Sequence, residues 1–299
     1  MTLRSILSPV DFSEHSRLAL RWAGAFAARF KTRLTVLNVV DPLLAEAARI
    51  KFGQDLAKAE TEPALREFVA STWADGTAPP VETTFETPVG DPVLVILETA
   101  TSEDADLIVM GTHGLGGFRK WLLGSTTERL LRRIQVPVLV VPLDSEESRR
   151  SVEATPGIGR ILAATDFTER SEAAVTYAAE LARHFSATLT LAHVVEPLAV
   201  PQRWSVLVKE SDETRVGNAR ARLDALAERV CGSQKCDAVV SLGRTADMIG
   251  SIANSRGAQL IVMGLTSDEG PLGRRPGSIA YHVLCSASIP VLVVPFFSR

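Results

Sequence analysis

ILSPVDFS at residues 6–13 and ILAATDFT at residues 161–168 are close variants of one phrase, and their recurrence decides the architecture. The aspartates in them, Asp11 and Asp166, stand 155 residues apart. RLTVLNVVDP at 33–42 returns as TLTLAHVVEP at 188–197 with the same offset. ADLIVMGTHG at 105–114 returns as AQLIVMGLTS at 258–267, and VPVLVVP at 136–142 returns as IPVLVVP at 289–295, both now at an offset of 153. Four matched blocks in one order mean a duplicated domain. The smaller offset places a two-residue loss in the second copy between its second and fourth strands.

Within the first copy, short β-branched apolar runs at 4–10, 33–40, 81–87, 106–110 and 137–141 alternate with longer helical stretches. LIVM and VLVV are continuous rather than alternating, as strands buried on both faces of a parallel sheet must be. Leu18, Trp22, Phe26 and Phe30 recur every four residues behind Ser13, which stands where an N-cap belongs. Leu130, Leu131 and Ile134 form a similar stripe before Pro137. Strands joined by helices imply right-handed crossovers. The expected fold is therefore α/β: two tandem doubly wound, Rossmann-like domains, each a five-stranded parallel sheet with helices on both faces. The domains are read as residues 1–142 and 158–299, joined by the charged, Ser-rich linker 143–157. Ligands in such sheets bind at the carboxyl ends of the strands where the strand order reverses, so the loops after strands one, two and four are the places to search.

Composition narrows the partners. With 32 Lys and Arg against 35 Asp and Glu, the net charge of −3 pulls the chain toward neither nucleic acid nor an anionic membrane. Pro9 and Asp11 interrupt the N-terminal stretch too early for a signal peptide, and no apolar run approaches the roughly 18 residues of a spanning helix, so the expected compartment is the cytoplasm. Cys231, Cys236 and Cys285 form no disulfide framework, and the Cys231/Cys236 pair lacks two further ligands for a closed zinc site. His15, His184, His193 and His282 have no metal-site spacing, and the four tryptophans read as core or interface residues.

The stretch after strand four, GTHGLGGFRKWLLGSTTERLL at 111–131, carries the chemistry. Gly111 and Gly114 let backbone amides approach an anion in conformations other residues resist. Gly124 and Ser125 open the next helix, whose first amides and dipole favour negative charge. Ser125, Thr126 and Thr127 add hydroxyls, and Arg119 and Lys120 add nearby positive charge. There is no G-x4-G-K-[ST] P-loop, GLGG at 114–117 is not a Rossmann fingerprint, and no G-x-S-x-G elbow is present.

The pattern G-x2-G-x9-G-S after strand four, with the Asp of SPVDF ending strand one, resembles the nucleotide-binding universal stress proteins, and the resemblance runs through both copies. It implies an adenine nucleotide, ATP with or without Mg2+, bound across the switch point of the first sheet. Pro9, Val10 and Asp11 would line the adenosine end. Val39, ending strand two, would present backbone to the adenine. Met110, Gly111, His113 and Gly114 would border ribose and phosphate, with Gly124, Ser125, Thr126 and Thr127 on the phosphates. The resemblance also implies antiparallel pairing of the two last strands within one chain as a pseudo-dimer, and leaves a homodimer open.

Rival readings stand beside these. Asp11 either caps the first helix or contacts ligand, and the availability of Ser13 as a cap favours the ligand. His113 is equally a solvated loop histidine or a nucleotide contact, and Arg119 and Lys120 can be plain surface charge. In the second copy, GLTSDEGPLGRRPGS at 264–278 keeps Gly264, Gly277 and Ser278 but puts Ser267 where the second glycine stood. It adds Asp268, Glu269, Pro271 and Pro276, losing amide donors and gaining negative charge, while Arg274 and Arg275 argue weakly the other way. Losing one or two charge-assisted hydrogen bonds at about 1.5–3 kcal/mol each reads as a degenerate site. The functional expectation is a nucleotide-responsive stress regulator with one strong ATP site. Its alternatives are a slow ATPase or phosphotransferase on the same site, or a chaperone-like docking module with vestigial sites.

Overall fold

The computed structural model describes residues 2–52, 56–73, 81–113, 123–143, 157–198, 205–232, 234–265, 267–270, 273–276 and 278–296. The chain divides into two compact units, the first running from Thr2 and the second from Gly157. The first unit is built from β1 (Ser5–Pro9), α1 (Glu14–Phe30), β2 (Arg33–Leu37), α2 (Pro42–Phe52), α3 (Leu56–Thr72), β3 (Thr83–Glu86), α4 (Pro92–Ser102), β4 (Leu107–Gly111), α5 (Ser125–Leu131) and β5 (Val138–Val141). Its strands lie in the order β3-β2-β1-β4-β5, every neighbouring pair parallel. The order reverses between β1 and β4, which pair Ile6 with Leu107 and Leu7 with Ile108.

The second unit comprises β6 (Arg160–Ala164), α6 (Glu169–Phe185), β7 (Thr188–Val195), α7 (Ser205–Cys231), β8 (Cys236–Leu242), α8 (Thr245–Arg256), β9 (Leu260–Leu265), β10 (Ser267–Gly270), β11 (Gly273–Pro276), α9 (Ser278–Ser286) and β12 (Val291–Pro295). Its parallel sheet has the matching order β8-β7-β6-β9-β12, while β10 and β11 pair only with each other.

The central strands are the continuous apolar runs of the sequence. All of β4 and β5 is buried, and Ile6, Leu7, Ile108 and Leu139 are fully enclosed. Each such side chain contributes about 1.5–3 kcal/mol on leaving water. The stripe Leu18, Trp22 and Phe26 of α1 is buried as its spacing dictates, with Phe30 half-exposed at the helix end. Arg17 ties α1 to α3: its Nη1 donates to Ser71 Oγ at 2.9 Å and Thr72 Oγ1 at 3.1 Å, and the guanidinium lies 4.3 Å above the Phe68 ring.

Two details depart from the sequence reading. Strand two ends at Leu37 rather than at residue 40, and Asn38, the next residue, donates its side-chain amide to Val10 O at the end of β1. Val39 thus lies two residues past the strand, and the ladder resumes only as a single bridge between Val40 and Val89. The copies also differ between their second and third strands: α2 and α3 occupy that stretch in the first unit, and the 27-residue α7 occupies it in the second. Among the described residues, no helix is long and apolar enough to cross a membrane. Among the described residues no disulfide forms, and Cys231, Cys236 and Cys285 are thiols. Burial and the neighbouring Cys231 thiol hold Cys236 well above the usual thiol range, which keeps it a poor nucleophile at neutral pH.

Candidate functional site

The crevice at the carboxyl ends of β1 and β4 is where a doubly wound sheet presents its ligand site. At the end of β1, Pro9 is half-buried and Val10 buried. The Val10 amide donates to Leu37 O at 2.8 Å, and Asn38 Nδ2 donates to Val10 O at 2.8 Å, so two strand ends are locked together. The chain then turns sharply through Phe12, which adopts a left-handed φ of 64°. A bulky residue held there stores strain of about 1–3 kcal/mol, which the surrounding bonds must offset. Those bonds are local: Asp11 Oδ1 accepts from Ser13 Oγ at 2.6 Å and Ser13 N at 3.2 Å, and Ser13 Oγ accepts from Ser16 N at 3.2 Å. Ser13 is therefore the N-cap of α1, and Asp11 acts one step back, fixing the cap hydroxyl.

At the end of β4, Met110 and Gly111 are buried and His113 is half-buried. Gly111 has a reason the sequence did not suggest. A Cβ there would lie 3.0 Å from the carbonyl carbon, the carbonyl oxygen and Cβ of His15, so glycine is what lets β4 seat against the first turn of α1. The imidazoles of His15 and His113 meet at this seam, ring centroids 5.5 Å apart. Burial, then the neighbouring His113, lowers the His15 pKa against the opposing pull of Asp11 and Glu14, so His15 is neutral at pH 7.

The start of α5 returns to the same place. Gly124 N donates to Thr112 O at 2.8 Å, and the buried Thr127 hydroxyl donates to Gly111 O at 3.1 Å. Thr127 thus ties α5 to β4, while Ser125 is exposed and Thr126 half-exposed at the helix opening. Gly124 is the N-cap and makes no side-chain cap bond. Glu128, one turn in, is paired with Arg132. Gly114, Arg119 and Lys120 lie outside the described residues.

The second unit repeats the turn. Asp166 Oδ1 accepts from Thr168 Oγ1 at 2.6 Å and Thr168 N at 3.0 Å, Thr168 caps α6, and Phe167 has a φ of 63°. Burial alone would raise the Asp166 pKa, but bonds from Thr168 and Ser171 outweigh it and hold the carboxyl below its usual value. Gly264 repeats the close approach, its Cβ position lying 3.1 Å from Arg170 O on α6. His193 stands where Asn38 stands in the first unit and serves the same latch, its Nδ1 lying 2.8 Å from Thr165 O. A carbonyl only accepts, so this nitrogen carries the proton. A cavity of about 120 Å³ opens here, lined by Asp166, His193, Thr245, Met263 and Ile279 among others. Asn38, Ser16 and His15 were missed from sequence. The signal was available for Asn38: a polar residue in an otherwise apolar run, matched by His193 at an offset of 155.

A sequence model of the universal stress protein family matches residues 2–142 and again residues 157–295. The chain belongs to the universal stress protein family. It is similar over nearly its whole length to tandem relatives: a universal stress protein of Mycolicibacterium smegmatis is 27% identical, covering 97% of this chain and 96% of its own. One from Mycobacterium tuberculosis is 28% identical, covering 95% and 94%. The crystal structure of an Archaeoglobus fulgidus universal stress protein shares the fold at a TM-score of 0.70 with 21% identity, covering 97% of this chain and 98% of that one. The family match, made once over each unit, accounts for the doubling.

Proposed function

We propose that the first unit binds ATP in the crevice between the ends of β1 and β4 and that the chain acts as a nucleotide-responsive regulator in a stress response. The observation carrying this reading is the convergence at one switch point of three chain segments: the Asp11–Ser13 turn, the Met110–His113 strand end and the opening of α5, tied by Gly124 to Thr112 and by Thr127 to Gly111. His113 Nε2, buried and without a hydrogen-bond partner among the described residues, suits a ligand that supplies an acceptor or donor. In this reading Pro9, Val10, Asp11 and Val39 line the adenosine end, and Met110, Gly111, His113 and Gly114 border ribose and phosphate. Gly124, Ser125 and Thr126 hold the phosphates, and Thr127 supports them from behind. Hydroxyls predominate there, and Glu128 is committed to Arg132, so Mg2+ would arrive on the phosphates rather than on a protein carboxylate. The family pattern further supports antiparallel pairing through the last strands, within one chain or between two.

Calorimetry on the full chain is expected to give about one ATP per chain with a dissociation constant in the micromolar range. Mass spectrometry of small molecules released from freshly purified protein should then find adenine nucleotide. Two equal sites would overturn the ranking of the two units, and no binding would remove the site.

Turnover is expected to be slow. Phosphoryl transfer needs an oriented nucleophile and stabilisation of charge on the transferred group. With Glu128 held by Arg132, hydrolysis should fall below about one per second, under the range ordinary enzymes occupy. Magnesium-dependent turnover of several per second, lost in Glu128→Gln, would make the protein an ATPase.

A further inference from the structure

Two histidines meet where β4 ends against the first turn of α1, and the nucleotide reading gives only one of them a place. Their ring centroids lie 5.5 Å apart with planes tilted by 56°. His15 is fixed in position by the close seating of its backbone on Gly111. His113 is fixed through Nδ1, which lies 3.1 Å from Thr112 Oγ1, and its Nε2 is buried without a partner among the described residues. Asp11 and Glu14 are the acids acting on His15, and His113 is the base acting on it. Arg17, further along α1, is committed to Glu14, Ser71 and Thr72, and Glu128 on α5 is committed to Arg132. The pair is thus the titratable centre of the seam. Two imidazolium ions this close would repel, and burial disfavours a proton on His15 even with Asp11 and Glu14 pulling the other way.

We propose that His15 and His113 act together as a proton-loaded clamp on the phosphate chain, so that nucleotide binding draws one proton from solvent onto the pair and the resulting imidazolium pairs with a phosphate oxygen. This rests on the reading of the first unit as the ATP site and names a second histidine of that site. No covalent bond forms: the buffer acid gives up the proton and one imidazole nitrogen receives it. The phosphate charge favours the protonated form, so the pair's proton affinity is higher in the complex than in the free protein. ATP affinity therefore rises as pH falls through the window between the free and the bound pKa of the pair, and it levels off once the free pair is itself protonated. The second unit lacks the device, since Arg170, charged at every working pH, stands at the position matching His15.

The test is calorimetric titration of the full chain with Mg-ATP at neutral pH in two buffers of contrasting ionisation enthalpy. The magnesium complex keeps the nucleotide's own terminal proton out of the measurement. The apparent enthalpies should differ by an amount corresponding to uptake of roughly 0.5–1 proton. Adenosine in place of ATP should show no uptake. In the double variant His15→Gln/His113→Gln, ATP should bind about tenfold more weakly, with no proton uptake and a flat pH profile. Because those substitutions touch a packed seam, the wild-type protein supplies an independent reading. Of the five histidines in the chain, two should move their imidazole resonances toward the protonated position on adding ATP. Tight ATP binding with equal enthalpies in both buffers would overturn the clamp and leave the nucleotide site standing. Uptake that persists in the double variant would also overturn it. No ATP binding to the wild-type chain would remove clamp and site together.

Discussion

Gly124→Asp is expected to lower ATP affinity about 100-fold or more while leaving the free protein as stable as before, or slightly more so. The backbone at Gly124, with φ −58° and ψ 144°, is open to any residue, and no side chain caps α5. Aspartate is a better N-cap than glycine by a few tenths of a kcal/mol, and its charge suits the helix N-terminus. The same charge would stand where the phosphate chain docks. Two like unit charges about 4 Å apart repel by about 4 kcal/mol at an effective dielectric of 20, and the roughly two-thirds of that left after screening is about 100-fold. Calorimetry and a thermal melt on the same sample separate the two effects. Unchanged affinity would remove the start of α5 from the site. A lowered melting temperature would mean that the affinity loss reports misfolding.

The second large effect is on stability. Gly111→Val is expected to destabilise the first unit by about 3 kcal/mol, a fall of roughly 6–12 °C in its melting temperature. The added Cβ would lie 3.0 Å from the His15 carbonyl, and backbone inside the first turn of a capped helix cannot step aside as the end of a long side chain can. The γ-methyl groups of valine only deepen the conflict. Nucleotide affinity should fall with it, because α1 carries His15 and the Ser13 cap that Asp11 holds. Chemical denaturation with separate probes on the two units measures the loss. A change under about 0.5 kcal/mol would show that the seam between β4 and α1 is looser than its geometry indicates.

These two glycines show how far the sequence could be read. The doubling, the parallel sheets and the position of the crevice followed from repeated phrases and from uninterrupted runs such as LIVM, because burial on both faces leaves no room for polar alternation. The sequence pattern gives Gly111 the task of opening amides to an anion, whereas its visible role is to admit a helix backbone. The same holds for Gly264, which accounts for its retention in a unit whose loop has turned acidic. That distinction depends on what sits opposite the residue, about 95 positions away in sequence, and no local pattern carries it. The sequence offers Asp11 as a cap or a ligand contact; in the fold it also orients the cap, a role visible only once Ser13 and the left-handed Phe12 are placed. Spacing along the chain gives His15 no role, because its partner is 98 residues further on. The apolar run of strand two extends three residues past its ladder, and nothing in VLNVV marks Asn38 as the residue whose side chain locks onto β1.

The central position of β1 sets a timetable for synthesis. Its neighbour β2 emerges from the ribosome early, but Ile6 and Leu7 meet Leu107 and Ile108 only after some 100 further residues have been made. Until then one edge of β1, which carries Ile6 and Leu7, has no strand beside it. The next strand to repeat the Ile-Leu pair of β1 is β6, whose ILAA is the sequence rival to ILSP for the place beside β4. A nascent chain that completes β4 and β5 before residue 160 appears has already closed that opening. Translation order thus guards a tandem protein against exchanging equivalent strands between its halves, a failure characteristic of repeated domains refolded all at once from denaturant.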